Sequence, residues 1–200
     1  MMNDFERWFV RSRWYAYIWG VIISLIQKQS KLLTKFENKK VIEFGTGQGT
    51  SAIWLLKNLK PDNILTIDCD EKMVEKAIQN VKRANLEQRI IVKKADATKL
   101  PFGNNSFDIV FAFGLLHHIL NYEGAIKEAK RVLKHKGVFF IVDFDWDKKS
   151  LFLRLFSMFF TPERWISKKE LSETLQQNGF EIFEARKHLR YGLSVGAVKL

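Results

Sequence analysis

A single cysteine in 200 residues, Cys69, excludes a disulfide framework and any metal site built on several thiolates, and it suits a reducing cytoplasm. Apolar runs of membrane-spanning length are also missing. The uncharged run Trp14–Gln27 has 14 residues, with Gly20 and Ser24 inside it. A spanning helix needs roughly 20. No small-residue cleavage pattern follows; Lys31, Lys35, Lys39 and Lys40 come instead, which argues against a secretory signal. Two readings stand for this flank. Either residues 1–40 form a helical cap whose apolar side packs on the domain, or the run lies in a membrane interface with Trp and Arg at the boundary. Acidic residues are the third shortage, since 22 Asp and Glu against 33 Lys and Arg leave a net charge of +11. Such an excess points to an acidic partner, nucleic acid or an anionic membrane surface, or else to a solvated lysine-rich surface. It is unevenly spread. Residues 1–40 carry 8 basic and 3 acidic groups, residues 41–147 carry 15 and 14, and residues 148–200 carry 10 and 5. Chemistry is therefore sought in the near-neutral middle and substrate recognition in the two basic flanks.

What is present is a core. With 46% hydrophobic residues and a length inside the roughly 100–250 residues of a single core, the chain reads as one domain without internal repeat or low-complexity linker. Short runs rich in Val, Ile and Phe at 41–44, 64–67, 90–92, 108–111 and 138–142 predict strands. Between them, helices are expected over Thr50–Asn58, over Glu71–Ala84 with Val74, Ala77, Ile78 and Val81 on one face, and over Tyr122–Lys134, capped by Asn121 and followed by Gly137. This alternation specifies a Rossmann-like, doubly wound α/β fold with a mostly parallel seven-stranded sheet. At the C-terminal end, Ser167 and Glu170 form a capping-box pattern ahead of a helix over Lys168–Asn178, closed by Gly179. Strand-like runs at 180–185 and 193–199 then predict an antiparallel hairpin that ends the sheet with one reversed strand.

The chemistry-bearing residues lie at the strand ends. In VIEFGTGQGT, Gly45, Gly47 and Gly49 let the backbone turn tightly and approach a ligand at the carboxyl edge of the sheet. Their spacing is not the G-x-G-x-x-G of dinucleotide folds. Glu43, two residues before the first glycine, would repel a pyrophosphate but favour an ammonium group, directly or through water. Asp68, which ends ILTID 23 positions after Gly45, is placed to accept from both ribose hydroxyls of a nucleoside, and Asp96 to accept from an adenine amino group.

Residues 41–143 resemble a class I S-adenosylmethionine-dependent methyltransferase of the small-molecule type, similar in pattern to the ubiquinone and menaquinone biosynthesis methylases. Four ordered motifs carry the resemblance: VIEFGTGQGT, LTIDCDEKMVEKA, KADATKLPFGNNSFDIVFAFGLLHHI and EAKRVLKHKGVFFIVDF. They cover about half the chain. The resemblance implies S-adenosylmethionine as cofactor, with Glu43, Gly45, Thr46 and Gly47 around its methionyl part and Asp68 on the ribose. It further implies Cys69 and Met73 against the ribose and adenine, Asp96 and Ala97 at the adenine edge, and Phe113 and Gly114 lining the cofactor after the fourth strand. Taken without it, Met73 fits a core position, and Cys69 lacks the cationic neighbour or second cysteine of a reactive thiol.

No catalytic residue is assigned outright. The sulfonium is already activated, so orienting the partners and excluding water is the main task, and a dedicated base is not required. His117, His118 and Tyr191 are the base candidates, with His188 behind them. As neighbours on a helix, His117 and His118 would diverge by about 100° and could not share a metal. They either border the substrate pocket or end a helix. Asp143, Asp145 and Asp147 lack the glycine and glutamate of a calcium loop, and no metal is expected.

Substrate recognition in this class falls to the N-terminal segment and to an insertion after the fifth strand, here at about 146–166 within a methyltransferase domain over 41–200. Residues 150–160 hold seven Leu or Phe and a Met, and the other flank holds Trp14, Tyr15, Tyr17 and Trp19. These could form a lid over a small apolar or amphiphilic acceptor, quinone-like or lipid-like, with cations facing an anionic membrane, or bury each other and merely close the sheet. Nucleic acid ranks behind, since no RNA-binding module is legible. An RNA methyltransferase and a non-catalytic S-adenosylmethionine-binding protein remain the competing readings. The expected location is the cytoplasm, with membrane association as the second option. The sequence carries no signal of oligomeric state.

Overall fold

A computed structural model describes residues 36–145, 164, 166–188 and 192–200. The proposed cap before residue 36, most of the proposed lid and Tyr191 lie outside the described residues.

Seven strands form one sheet in the order β3-β2-β1-β4-β5-β7-β6. The strands are β1 Lys40–Phe44, β2 Asn63–Asp68, β3 Ile90–Lys94, β4 Phe107–Phe113, β5 Leu133–Phe144, β6 Phe180–His188 and β7 Gly192–Lys199. β1 to β5 pair in parallel, which places β1 and β4 side by side at the point where the winding reverses. Helices cover both faces: α1 Thr50–Leu59, α2 Glu71–Arg83, α3 Tyr122–Val132 and α4 Lys168–Gln177. Covering on both faces explains why β1 is buried from Val41 to Phe44 although it includes a glutamate. Alternate β1 residues feed two apolar layers. Ile42 and Phe44 pack with α3 and α4 residues such as Ile126 and Leu175, and Val41 packs with α1 residues such as Leu55. Phe36 joins the second layer, its ring edge-on to Phe111 at 5.8 Å and to Phe140 at 6.0 Å.

The predicted α/β alternation holds, and the caps behave as their residue types dictate. Asp70 accepts from Lys72 N at 2.9 Å, Asn121 from Gly124 N at 3.2 Å, and Ser167 Oγ from Glu170 N at 3.2 Å. Two details differ. α3 ends at Val132 and β5 begins at once with Leu133, so Gly137 is not a helix stop. Phe107 pairs with Leu133 and Ile109 with Val138, so the intervening β5 residues bulge outward, with Lys136 at φ 58°. Gly137 is needed there for space: a Cβ would lie 2.8 Å from the Lys134 carbonyl oxygen and 3.1 Å from that of Asp108. The hairpin forms as expected, but the reversed strand β7 is inserted between β5 and β6 rather than lying at the sheet's edge. Among the described residues, no helix is long and apolar enough to cross a membrane.

Candidate functional site

The turn after β1 is built by three glycines with positive φ, each meeting a different demand. Gly45 (φ 80°) passes under Leu115, where a Cβ would come within 2.9 Å of Leu115 Cδ1. Gly49 (φ 78°) lies against α2, where a Cβ would be 3.3 Å from Ala77. At Gly47 (φ 48°) a Cβ would meet nothing within 4 Å among the described residues, so this glycine faces open volume between them. Backbone bonds from Gly45 N and Thr46 N to the Ile67 carbonyl oxygen, at 2.9 and 2.8 Å, tie the turn to β2. Asp68, the last residue of β2, accepts from Gly47 N at 3.0 Å and from Asp70 N at 3.0 Å, so one carboxylate holds both the turn and the start of α2. Burial raises its pKa from the ordinary aspartate value, against the pull of these amide bonds.

Glu43 is fully buried in β1, opposite Thr66 of β2, whose hydroxyl donates to Oε2 at 2.6 Å. Burial pushes its pKa up to about 7; the Ser51 and Thr66 hydroxyls pull weakly downward and the Asp68 charge pushes upward. Among the described residues, Glu43 Oε1 and Thr46 Oγ1, both buried, find no hydrogen-bond partner of normal geometry. Two orphaned oxygens beside an open glycine are an acceptor set that fits a ligand with a cationic or hydroxyl-bearing group.

The remaining expected contacts flank this turn. Cys69 is exposed, and its thiol pKa is raised by partial burial and by the Asp68 and Asp96 charges, the reverse of a nucleophile's environment. Met73 is buried in α2, in keeping with a core position. Asp96 is exposed in the turn after β3, where its Oδ1 accepts from the Thr98 amide and hydroxyl, both at 2.8 Å, and Ala97 beside it is buried. Phe113 ends β4 stacked on Phe111 at 5.3 Å, and Gly114 (φ 56°) follows, its amide bonded to the Val142 carbonyl oxygen at 2.7 Å.

The two histidines occupy a 3₁₀ turn, Leu116–His118, after β4, and their rings lie 3.9 Å apart instead of diverging. His117 Nδ1 is 2.5 Å from Asp143 Oδ1 near the end of β5, both side chains being buried. Asp143 Oδ2 also accepts from Leu116 N at 3.0 Å, fixing the turn to β5. Burial, reinforced by the adjacent His117, holds the His118 pKa well below its usual value, so that ring is neutral at pH 7. The sequence reading missed this role of Asp143 because the residues that it engages are 26 and 27 positions away. Asp145 is spent elsewhere, on Lys168 N and Lys187. His188, on β6, is bonded to Ser194 Oγ at 2.6 Å. Among the described residues, no cluster of three or more His, Cys, Asp or Glu could hold a metal.

Residues 42–141 match the family model described as a methyltransferase domain. Among curated proteins, 27-O-demethylrifamycin SV methyltransferase of Amycolatopsis mediterranei is 32% identical over 105 residues, covering 52% of this chain and 38% of that protein. Demethylmenaquinone methyltransferase of Lactobacillus johnsonii is 30% identical over 162 residues, covering 68% of this chain and 65% of that one. The chain thus spans less than two thirds of the length of these relatives. A crystal structure of a protein from Pyrococcus horikoshii superposes with a TM-score of 0.78 at 21% identity, covering 96% of this chain and 93% of that one, which shows the shared fold. With half of its residues matched, and with the seven-stranded topology around them, the chain belongs to the methyltransferase domain family and has the class I S-adenosylmethionine-dependent methyltransferase fold.

Proposed function

We propose that the chain binds S-adenosylmethionine across the β1–β4 switch point and transfers its methyl group to a small apolar or amphiphilic acceptor, quinone-like or lipid-like. The observation that carries this reading is the unpartnered, buried Glu43 Oε1 beside the open face of Gly47. When bound, S-adenosylmethionine supplies a methyl group already activated on a sulfonium. Glu43 and Thr46 offer their orphaned oxygens to the amino-acid portion. Asp68 has lone pairs beyond those used by Gly47 and Asp70 for the ribose hydroxyls, with Cys69 and Met73 beside it. Asp96 Oδ2, left over from the Thr98 bonds to Oδ1, would accept from the adenine amino group next to Ala97, and Phe113 and Gly114 would line the cofactor after β4. Orientation of the two reactants can supply about 7–11 kcal/mol of the barrier.

For an oxygen or nitrogen acceptor, His117 is the base this geometry supports best. With its Nδ1 proton donated to Asp143, Nε2 is the nitrogen that accepts a proton, as in other carboxylate-oriented histidines. His118, held neutral by burial beside His117, and Tyr191 are the other candidates. The apolar, basic flanks and the demethylmenaquinone relative both support the acceptor class.

Calorimetry with S-adenosylmethionine and S-adenosylhomocysteine is the first test; absence of binding at millimolar concentration removes the reading. A screen with labelled methyl groups against quinone, lipid and RNA extracts then identifies the acceptor. Labelled RNA would install the nucleic-acid alternative, and binding without any transfer would install the non-catalytic one.

A further inference from the structure

Lysines gather at the end of the sheet opposite the glycine turn. Asn104 and Asn105 precede β4, and Lys127, Lys130 and Arg131 lie in the second half of α3, which runs against the parallel strands. Lys199 ends β7, whose reversed direction brings it to the same place. Together they line an open cavity of about 290 Å³. We propose that this cavity is a binding site for a phosphate-type oxyanion, carried by Lys127, Lys130 and Lys199 and separate from the cofactor edge.

The donors can be counted. Arg131 is spent on structure: its Nε and Nη2 reach Glu128 at 2.7 and 2.8 Å, Nη2 also donates to the Leu100 carbonyl oxygen, and Nη1 donates to the Phe102 carbonyl oxygen and Asn104 Oδ1. All five of its N–H groups are used. The three lysines differ, since none of them pairs with a carboxylate among the described residues. Lys199 Nζ donates to Asn105 Oδ1 at 2.9 Å and to the Leu133 carbonyl oxygen at 2.6 Å, which leaves one donor for a ligand. Because both asparagine oxygens accept from cations, their NH₂ groups are left as further donors. Lys130 lies over Gly179 (φ 75°), where a Cβ would come within 2.1 Å of Nζ and displace the ammonium.

The carbonyl end of α3 accounts for cations in its last turn, Lys130 and Arg131, but not for Lys127 before it or for Lys199 arriving from β7. Partial burial, and then the neighbouring Lys130, lower the Lys199 pKa, in keeping with two ammonium groups held close together. The walls are fixed by Asn105 N and Ser106 N, which bond the Arg131 and Val132 carbonyl oxygens at 3.0 and 2.7 Å. Compact ammonium charges with amide donors between them match a tetrahedral oxyanion.

The test titrates the full chain with inorganic pyrophosphate, following backbone amide shifts by NMR. Saturable shifts at Asn104, Asn105 and Lys199 are expected, weakened by at least tenfold in the Lys127→Ala/Lys130→Ala double variant, whose S-adenosylhomocysteine affinity should be unchanged. In a second arm, wild type and double variant are sedimented with phosphatidylglycerol or phosphatidylcholine vesicles. Pyrophosphate binding without vesicle binding identifies a free phosphate compound. Lysine-dependent sedimentation with phosphatidylglycerol alone identifies a lipid headgroup. Either supports the site. It is overturned if no saturable shift and no vesicle difference is seen, or if the double variant binds as tightly as wild type.

Discussion

Replacing Glu43 by Gln should make the cofactor-free protein's stability less dependent on pH. A carboxylic acid whose pKa rises from 4.5 to about 7 on folding holds more protons in the folded than in the unfolded state between those values. Stability therefore falls as pH rises through that window, and the cost is complete above pH 7. For a fully buried group, the change between pH 5 and pH 8 amounts to about 2–3 kcal/mol, at roughly 1.36 kcal/mol per unit of pKa. Gln keeps an oxygen for the Thr66 hydroxyl but carries no ionisable proton. Relative to wild type, the variant should thus gain about 2–3 kcal/mol between pH 5 and pH 8, a relative rise in Tm of about 5–10 °C for a chain of this size. Urea titrations of both proteins at pH 5, 6, 7 and 8 measure it. The NH₂ that Gln places at the orphaned position adds a penalty that does not vary with pH, so the slope is diagnostic and the offset is not. Parallel stabilities of the two proteins at all four pH values would refute the buried, uncharged Glu43. The counterpart lies in binding: S-adenosylhomocysteine, by placing an ammonium against Oε1, should release a proton at pH 6, visible as a calorimetric enthalpy that changes with the buffer used.

Three other substitutions probe the site. Asp68→Ala should weaken cofactor binding by at least tenfold, because it removes the ribose acceptor and unpins Gly47 and Asp70; an unchanged affinity in calorimetry rejects the ribose assignment. Gly45→Ala should cost about 1–3 kcal/mol in a denaturant titration, from its left-handed φ and the approach to Leu115, whereas a loss under half a kilocalorie would mean that the turn adapts freely. His117→Ala should lower kcat by about 10²-fold or more for an oxygen or nitrogen acceptor while leaving cofactor affinity intact, and an unaltered kcat would assign His117 to structure alone.

The parallel strands, the glycine turn and Asp68 were readable because each rests on local signals: β-branched runs, glycine spacing and a carboxylate ending a strand. Gly137 misled because a glycine after a helical pattern ordinarily reads as a stop, whereas here it admits two carbonyl oxygens from neighbouring segments. The role of Asp143 was illegible for a different reason: its alternation with Asp145 and Asp147 does not make a calcium loop, and its partner His117 reaches it only once β4 and β5 are in register. Charge was the subtlest case. Counting by segment made residues 41–147 nearly neutral, yet Lys127 and Lys130 meet Lys199 across α3 and β7, because segment sums register no folding back.

The inserted position of β7 has a kinetic side. Among the described residues, β6 pairs only with β7, so it has no place in the sheet until residues 192–199 have docked on β5. That docking joins positions as far apart as Val138 and Val198, a long loop to close before any reward is felt. Until it closes, β5 is an open, strongly apolar edge with a full ladder of unpaired amides and carbonyls, the surface on which a half-folded chain would meet another copy. The hairpin, whose β7 also lies beside Asp143, thereby closes last the edge at which a folding chain is most exposed to aggregation.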